Sequence, residues 1–348
     1  MSRLVIAEKP SVGRAVSAVV GADKTQKGYI EGGGYIVSWC VGHLVGLKYP
    51  NDYGNGWEER WRFSQLPMIP EKWQFTVTES TRVQYNLLKG LMFRDDVTEI
   101  ICATDADREG ECIFRYVYNM AHCTKPVKRL WVSSLEESAI KSALAVMKPM
   151  SAYDNLFSAG FARVKADWLV GMNGSRLFSC RYGGKLNIGR VQTPTLATIV
   201  KRDSDVDIFV KQKYFTADLN CGDFTLSSER IDEENAADTL VNSCNNSSVA
   251  ITSVKREVKT EKAPKLYDLT ILQRDANKAF GYTAQQTLDY TQSLYEGKLV
   301  TYPRTDSQYL SDDMAQTAFE VEMACRAVFD LGGQYEPNFN VIINNSKV

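Results

Sequence analysis

The first 150 residues alternate between short apolar runs and stretches whose apolar residues recur at three- and four-residue spacing. The runs at 4–7, 35–41, 99–103 and 129–132 predict strands, and the periodic stretches from Ser11, near 81–91 and from Glu109 predict helices. After Glu109 the apolar stripe is Cys112, Ile113, Tyr116, Val117 and Met120. Ser134-Leu135-Glu136-Glu137 has capping-box spacing and predicts a further helix through Met147, closed by Pro149. Such alternation predicts an α/β layer with a partly parallel sheet over 1–150. Between these elements, 51–61 is rich in Gly, Tyr and Trp and reads as a loop carrying Trp57 and Trp61.

The texture then changes. Residues 151–208 keep the helical period, with Phe157, Phe161, Val164, Trp168 and Leu169 on one stripe and a break at Gly183-Gly184. Over 209–265 the pattern alternates instead, at 214–219 and 249–254, which predicts strands of a third unit. From 266 to 348 the helical period returns through Leu272, Ala276, Ala279 and Phe280, and again over 283–294. The expected organisation is therefore 1–150, 151–208, 209–265 and 266–348, a multidomain α/β and α chain.

Composition bounds the class. A length of 348 residues, 44% hydrophobic and 24% charged, fits a globular protein of several domains. No apolar run approaches the length of a membrane span and the start is strand-like, so a cytoplasmic chain without membrane partners is expected. The 8 cysteines are scattered without a C-x-x-C pair, which points to neither a disulfide framework nor zinc. A formal net charge of −1 does not by itself suggest a nucleic-acid partner. Local charge does: over 159–202, Arg163, Lys165, Arg176, Arg181, Lys185, Arg190, Lys201 and Arg202 face one acid, Asp167. That stretch is either a polyanion site or a solvated basic face. No G-x-x-x-x-G-K-[ST] loop is present, so no ATP site is read.

Two groups carry candidate chemistry. Asp105-Ala106-Asp107-Arg108-Glu109-Gly110 follows a predicted strand and opens a predicted helix. Three carboxylates at alternate positions exceed what a helix cap needs, and hard divalent cations take oxygen ligands at such strand ends. A Mg²⁺ site is therefore favoured over an acidic cap. Further on, Tyr302 precedes Pro303 and Arg304. Taken alone, the pair reads as a buried tyrosine beside a surface arginine. The alternative is a phenol nucleophile with a guanidinium to hold phosphate oxygens.

Four ordered motifs carry a resemblance: Val5-Ile6-Ala7-Glu8-Lys9-Pro10-Ser11, the Asp105/Asp107/Glu109 triplet, 188–196 around Arg190, and Thr301-Tyr302-Pro303-Arg304-Thr305-Asp306-Ser307. Together they resemble the type IA DNA topoisomerases, in the bacterial topoisomerase III branch. The likeness implies a Rossmann-like Toprim domain for the first part, then the first portions of a helical DNA-binding domain, a β-rich arch and the tyrosine-bearing helical domain. It implies Mg²⁺ held among Glu8, Asp105 and Asp107 with Glu109 nearby, and Glu8 as proton donor to the leaving 3′ oxygen. The likeness further implies that Tyr302 attacks a single-stranded DNA phosphate and forms a 5′-phosphotyrosine, with Arg304 and Lys9 assisting. Asn187, Ile188, Gly189, Arg190, Val191 and Gln192, with Arg176, Trp168 and Trp61, are the implied DNA contacts. The expected partners are single-stranded and negatively supercoiled or catenated DNA, acted on by a monomer without ATP. Trp168 also reads as a core residue from its place on an apolar stripe.

The family pattern runs beyond this length and includes a His-rich segment after the tyrosine motif, whereas the histidines here are His43 and His122. The expectation is a truncated chain that is impaired in strand passage. The alternatives are a non-catalytic single-strand-binding fragment and a Toprim primase or nuclease, which leaves Tyr302 and the Arg190 motif unused.

Overall fold

A computed structural model describes all residues except 58–59, 133–134, 246, 262–263, 298, 330–341, 345 and 347–348. The expected capping residue Ser134 lies outside the described residues. In chain order the elements are β1 (Ser2–Ala7), α1 (Pro10–Val20), β2 (Lys24–Gln26), β3 (Tyr29–Gly32), β4 (Tyr35–Trp39), β5 (Val45–Leu47), β6 (Phe75–Val77), α2 (Arg82–Met92), β7 (Val97–Ala103), α3 (Arg108–Ala121), β8 (Val127–Arg129), α4 (Glu137–Ala145) and β9 (Lys148–Pro149). There follow α5 (Asp154–Tyr182), α6 (Gln192–Asp207), β10 (Asp218–Asn220), β11 (Thr225–Ser227), α7 (Glu234–Cys244), α8 (Leu269–Phe280), α9 (Ala284–Glu296) and α10 (Ala315–Phe329). They fall into two compact units, Met1–Arg190 with Pro264–Val348, and Val191–Ala263.

In the first unit a seven-stranded sheet runs in the order β2-β3-β4-β1-β7-β8-β9. Its centre is parallel: β1 pairs with β4 and β7, and β7 with β8, while the outer strands are antiparallel. Central parallel strands are covered on both faces and therefore read as unbroken apolar runs. Alternate residues of β1 confirm this. Leu4 and Ile6 join Ile100 and Cys102 against Leu88 of α2 and Ile113, Phe114 and Val117 of α3. Val5 and Ala7 join Ile101 and Ala103 against Val12 and Val16 of α1 and Ile140 of α4. All these residues are buried.

The local signals explain the helix ends. Pro10 opens α1 at the position where a missing N–H costs nothing. Thr283 and Gln286 form a capping box at the start of α9. The 29-residue α5 ends at Gly183 in the left-handed conformation that glycine tolerates, with its N–H donating to Ser179 O. In the second turn of α5, a Cβ at Gly160 would meet Cys112 Sγ at 2.6 Å, so its absence lets α5 lie directly on α3.

The second unit is sparse. Its strands β10 and β11 form a short antiparallel pair, and Leu196, Ile199 and Val200 of α6 are all more than half exposed. The alternation at 214–219 yields strand only from Asp218, preceded by a single bridge between Phe215 and Ile231. The expected strand at 249–254 is not formed: Val249, Ile251 and Val254 are exposed and lie in no regular element. Alternation alone does not make a strand, because a ladder needs a partner edge and an apolar face to bury.

Candidate active site

The register of the central strands builds the site. Ala7 pairs with Ala103, so the chains leaving β1 and β7 emerge side by side, one as Glu8-Lys9 and the other as Thr104-Asp105. The Asp105 N–H donates to Glu8 Oε2 at 3.1 Å. Lys9 Nζ lies 3.2 Å from Asp105 Oδ2 and 3.8 Å from Glu8 Oε1. Asp107 caps α3, its Oδ1 accepting from the Gly110 N–H at 2.6 Å. Glu109 points outward and meets His43 Nε2 at 3.3 Å. Thr104 Oγ1 donates to Gly110 O, and a Cβ on Gly110 would lie 2.3 Å from Asp105 O. The turn is thus closed by contacts that tolerate no side chain at that glycine.

Beneath the turn lies a buried ionic network that the sequence reading did not pick out. Arg129, 1% exposed, donates to the carbonyls of Cys102, Thr104, Leu130 and Asp105, the last at 2.6 Å. Its Nε reaches Glu111 Oε2 at 3.0 Å, and Arg115 Nε takes Glu111 Oε1 at 2.8 Å. Arg115 then bonds Asp154, the first residue of α5, and Met150 O in the turn before it. The visible signal was an arginine inside a predicted strand, since a buried charge requires a partner.

Tyr302 comes to this turn from far along the chain. Its hydroxyl donates to Asp105 Oδ2 at 2.8 Å, and Lys9 Nζ stands 5.3 Å from its ring centroid. Tyr295 packs edge-on against it. The segment is tied to α8, because Asp268 both caps that helix and accepts from Gln308, while the Leu269 N–H donates to Thr305 O. Arg304 is exposed beside the phenol. Burial, and then the charge of Asp105, hold the Tyr302 phenol above its ordinary range, so it keeps its proton at neutrality. Burial and the same aspartate raise Glu8 to about 7, with Lys9 opposing.

Carboxylate oxygens are the donors a hard divalent cation prefers, so Glu8, Asp105 and Asp107 fit one in kind. Among the described residues, however, no three acidic, histidine or cysteine side chains converge on one point. Asp105 Oδ2 is held by Lys9 and Tyr302, Asp107 by its cap, and Glu109 by His43. Closing a shell requires these side chains to turn.

The expected DNA contacts divide by unit. Arg176 is buried, donates to Gln65 Oε1 at 2.9 Å, and lies 5.5 Å from the ring centroid of Trp61. Trp61 itself is 37% exposed. Trp168 is 6% exposed, packed among Tyr53, Trp57 and Trp73, and donates to Lys48 O. It is a core ring of that aromatic cluster, as its apolar stripe suggested. The loop after Gly183 is pinned to α5: Ser179 Oγ accepts from the Leu186 N–H and Ser175 Oγ from the Ile188 N–H. Arg190 pairs with Asp167 at 2.5 Å, while Asn187 is exposed and Gly189 lies in the same loop. Val191 and Gln192 belong to the second unit, where Gln192 opens α6.

A family profile described as the Toprim domain matches residues 3–135, and one described as DNA topoisomerase matches residues 151–340, more than half of the chain. This chain belongs to the DNA topoisomerase family. Its first part is a Toprim domain, a divalent-metal-binding domain. DNA topoisomerase 3 of Bacillus cereus strain ATCC 14579 is 42% identical over 343 residues, 96% of this chain and 46% of that protein. DNA topoisomerase 3 of Bacillus subtilis strain 168 is 42% identical over 322 residues, 90% of this chain and 44% of that protein. The chain thus spans a little under half the length of the curated relatives it matches. Full-length topoisomerase I from Thermotoga maritima shares the fold, with a TM-score of 0.66 and 22% identity over 95% of this chain and 53% of that one. The resemblance read from four motifs, type IA in the topoisomerase III branch, agrees with these topoisomerase relatives. Among the described residues no helix is long and apolar enough to cross a membrane.

Proposed function

We propose that this topoisomerase chain cleaves single-stranded DNA through Tyr302, keeps the 5′ phosphate as a phosphotyrosine, and reseals the strand by the reverse reaction. The observation that carries this reading is the hydrogen bond from the Tyr302 hydroxyl to Asp105, beside Glu8 and Lys9. Attack forms the bond from Tyr302 Oη to phosphorus as the bond to the 3′ oxygen breaks. The phenol proton leaves along the hydrogen bond to Asp105 Oδ2, and the 3′ oxygen takes a proton from Glu8. A carboxyl raised to about 7 still holds that proton in a large share of molecules near neutrality. Lys9 and Arg304 offset the charge that builds on the nonbridging oxygens. Mg²⁺ bound by Glu8, Asp105 and Asp107 would supply further charge neutralisation at the phosphate, with Glu109 nearby.

The phosphodiester energy stays in the covalent link, so no ATP is used. The strand approaches along Trp61 and Arg176, and 187–192, including Arg190, contacts its backbone and bases. We assign 1–150 to metal binding, 151–208 to the DNA-binding helices, 209–265 to an arch and 266–348 to the tyrosine. The protein acts as a cytoplasmic monomer on negatively supercoiled or catenated DNA.

The test is a single-stranded oligonucleotide labelled at its 3′ end, incubated with the chain and Mg²⁺ and then denatured. The label is expected on wild-type protein and absent from Tyr302→Phe. Binding of the strand without any adduct from the wild type would sink cleavage and leave a DNA-binding fragment.

A further inference from the structure

A cavity of about 600 Å³ opens directly beside Tyr302 and Asp105. That volume lies within the range of sites that enclose small organic ligands, about 300–1,000 Å³. Its lining mixes two characters: Asp105, Asp107, Asp306 and Arg304 carry charge, while Trp131, Tyr267, Tyr309, Leu310 and Met314 are aromatic or apolar. Arg304 is the one cation in that lining among the described residues, so the cavity offers positive charge for one phosphate and not for two. Apart from the three carboxylates and Arg304, the lining is aromatic or apolar, with hydroxyls of Thr305, Ser307 and Ser311 on it. A flat, uncharged ring with polar edges suits such a wall, and a sugar-phosphate backbone does not.

The two key rings differ in how they are held. Trp131 stacks on Tyr153 at 5.2 Å and 15°, and the buried Arg129 guanidinium lies 5.0 Å from its centroid, so it is a fixed wall. Tyr267 is 55% exposed and turns into the same cavity. Neither residue belongs to the four motifs, and neither was singled out from the sequence.

We infer that this cavity is a base pocket, which receives the nucleobase of the nucleotide joined to Tyr302 through its 5′ phosphate. Arg304 holds that phosphate, while Tyr267 and Trp131 contact the base. The inference rests on the cleavage reading above and adds to it a subsite on the side of the strand that stays covalently attached.

The test needs no cleavage. A short oligothymidylate bearing a 5′ phosphate and a 3′ fluorophore is titrated with the full chain, and anisotropy is read. Three probes are compared: the intact one, one whose first nucleotide is abasic, and one lacking the 5′ phosphate. The intact probe is expected to bind wild type about tenfold more tightly than the abasic one, the usual scale for one stacked base. Tyr267→Ala should bring that ratio close to one, Trp131→Ala should reduce it, and Tyr267→Phe should preserve it. Circular dichroism checks that the variants fold. Equal binding of the intact and abasic probes by wild type, a ratio that survives Tyr267→Ala, or no measurable binding of the intact probe would each overturn the pocket. Failure of the cleavage reading looks different. There the phosphorylated and unphosphorylated probes bind alike while the dependence on the base remains.

Discussion

The sheet around β1 and β7 and the unit Val191–Ala263 are opposites in how they use apolar residues. In the first, every apolar residue of the two strands from Leu4 to Ala7 and from Ile100 to Ala103 is buried, and the strand ends deliver Glu8 and Asp105 to a common point. In the second, Val206, Ile208, Phe209, Val210 and Val254 are all more than half exposed, and one three-residue pair makes up its named sheet. Apolar residues therefore build a rigid platform in one region and lie on an open surface in the other. What differs is whether a partner edge lies within reach of the strand. Chemistry that needs groups fixed to a few tenths of an ångström belongs on the first kind of region.

Hydrogen exchange sharpens this contrast most. Amides of β7 are expected to exchange at least about a thousandfold more slowly than those of 249–261, and comparable rates would erase the distinction. Next comes the network below the carboxylates. Arg129→Gln strips Glu111 of one of two cations in a site that excludes water and should cost about 3 kcal/mol in denaturant unfolding. Adding Glu111→Gln should recover part of that loss, since the uncompensated charge is then gone. A smaller and more direct comparison sets Ile101→Ala, expected to cost about 2–4 kcal/mol, against Val254→Ala, expected to stay within about 0.5 kcal/mol. Equal costs would mean that the second unit has a core after all.

The gentlest probe is pH. In metal-free protein the folded Glu8 titrates near 7, above its ordinary 4.5, so the folded state holds this proton more tightly than the unfolded chain does. The stability it contributes is complete below 4.5 and is lost as pH rises through 7. Glu8→Gln should flatten that slope in unfolding curves, and a carboxyl titration followed by NMR should show a midpoint near 7. An unchanged slope would count against the buried, charge-crowded setting of Glu8.

Much of this was legible in the sequence, for physical reasons that differ by element. Strands β1 and β7 announced themselves because burial on both faces demands unbroken apolar runs, and the acids after β7 were conspicuous because a cap needs fewer. Asp107 turned out to serve the cap, so the bland reading and the chemical one share that residue. The bond between Tyr302 and Asp105 joins residues 197 positions apart, a pairing no local pattern can reveal. Only the resemblance of ordered motifs brought them together beforehand. Segment 249–254 misled because period-two alternation states a preference without supplying a neighbour. Arg129 was marked only by its place in a predicted strand, while Glu111 and Arg115 each look like an ordinary surface charge until the turn above them is folded.

Gly110 carries one last consequence. Its missing methyl leaves the gap through which Asp105 O passes over the start of α3. A mutational scan scored by activity alone would rank this glycine beside Asp105 under the proposed mechanism, although one would act through its oxygen and the other by leaving room. Intolerance of substitution in this loop therefore measures clearance as much as reactivity, and only a separate reading of fold and of chemistry tells them apart.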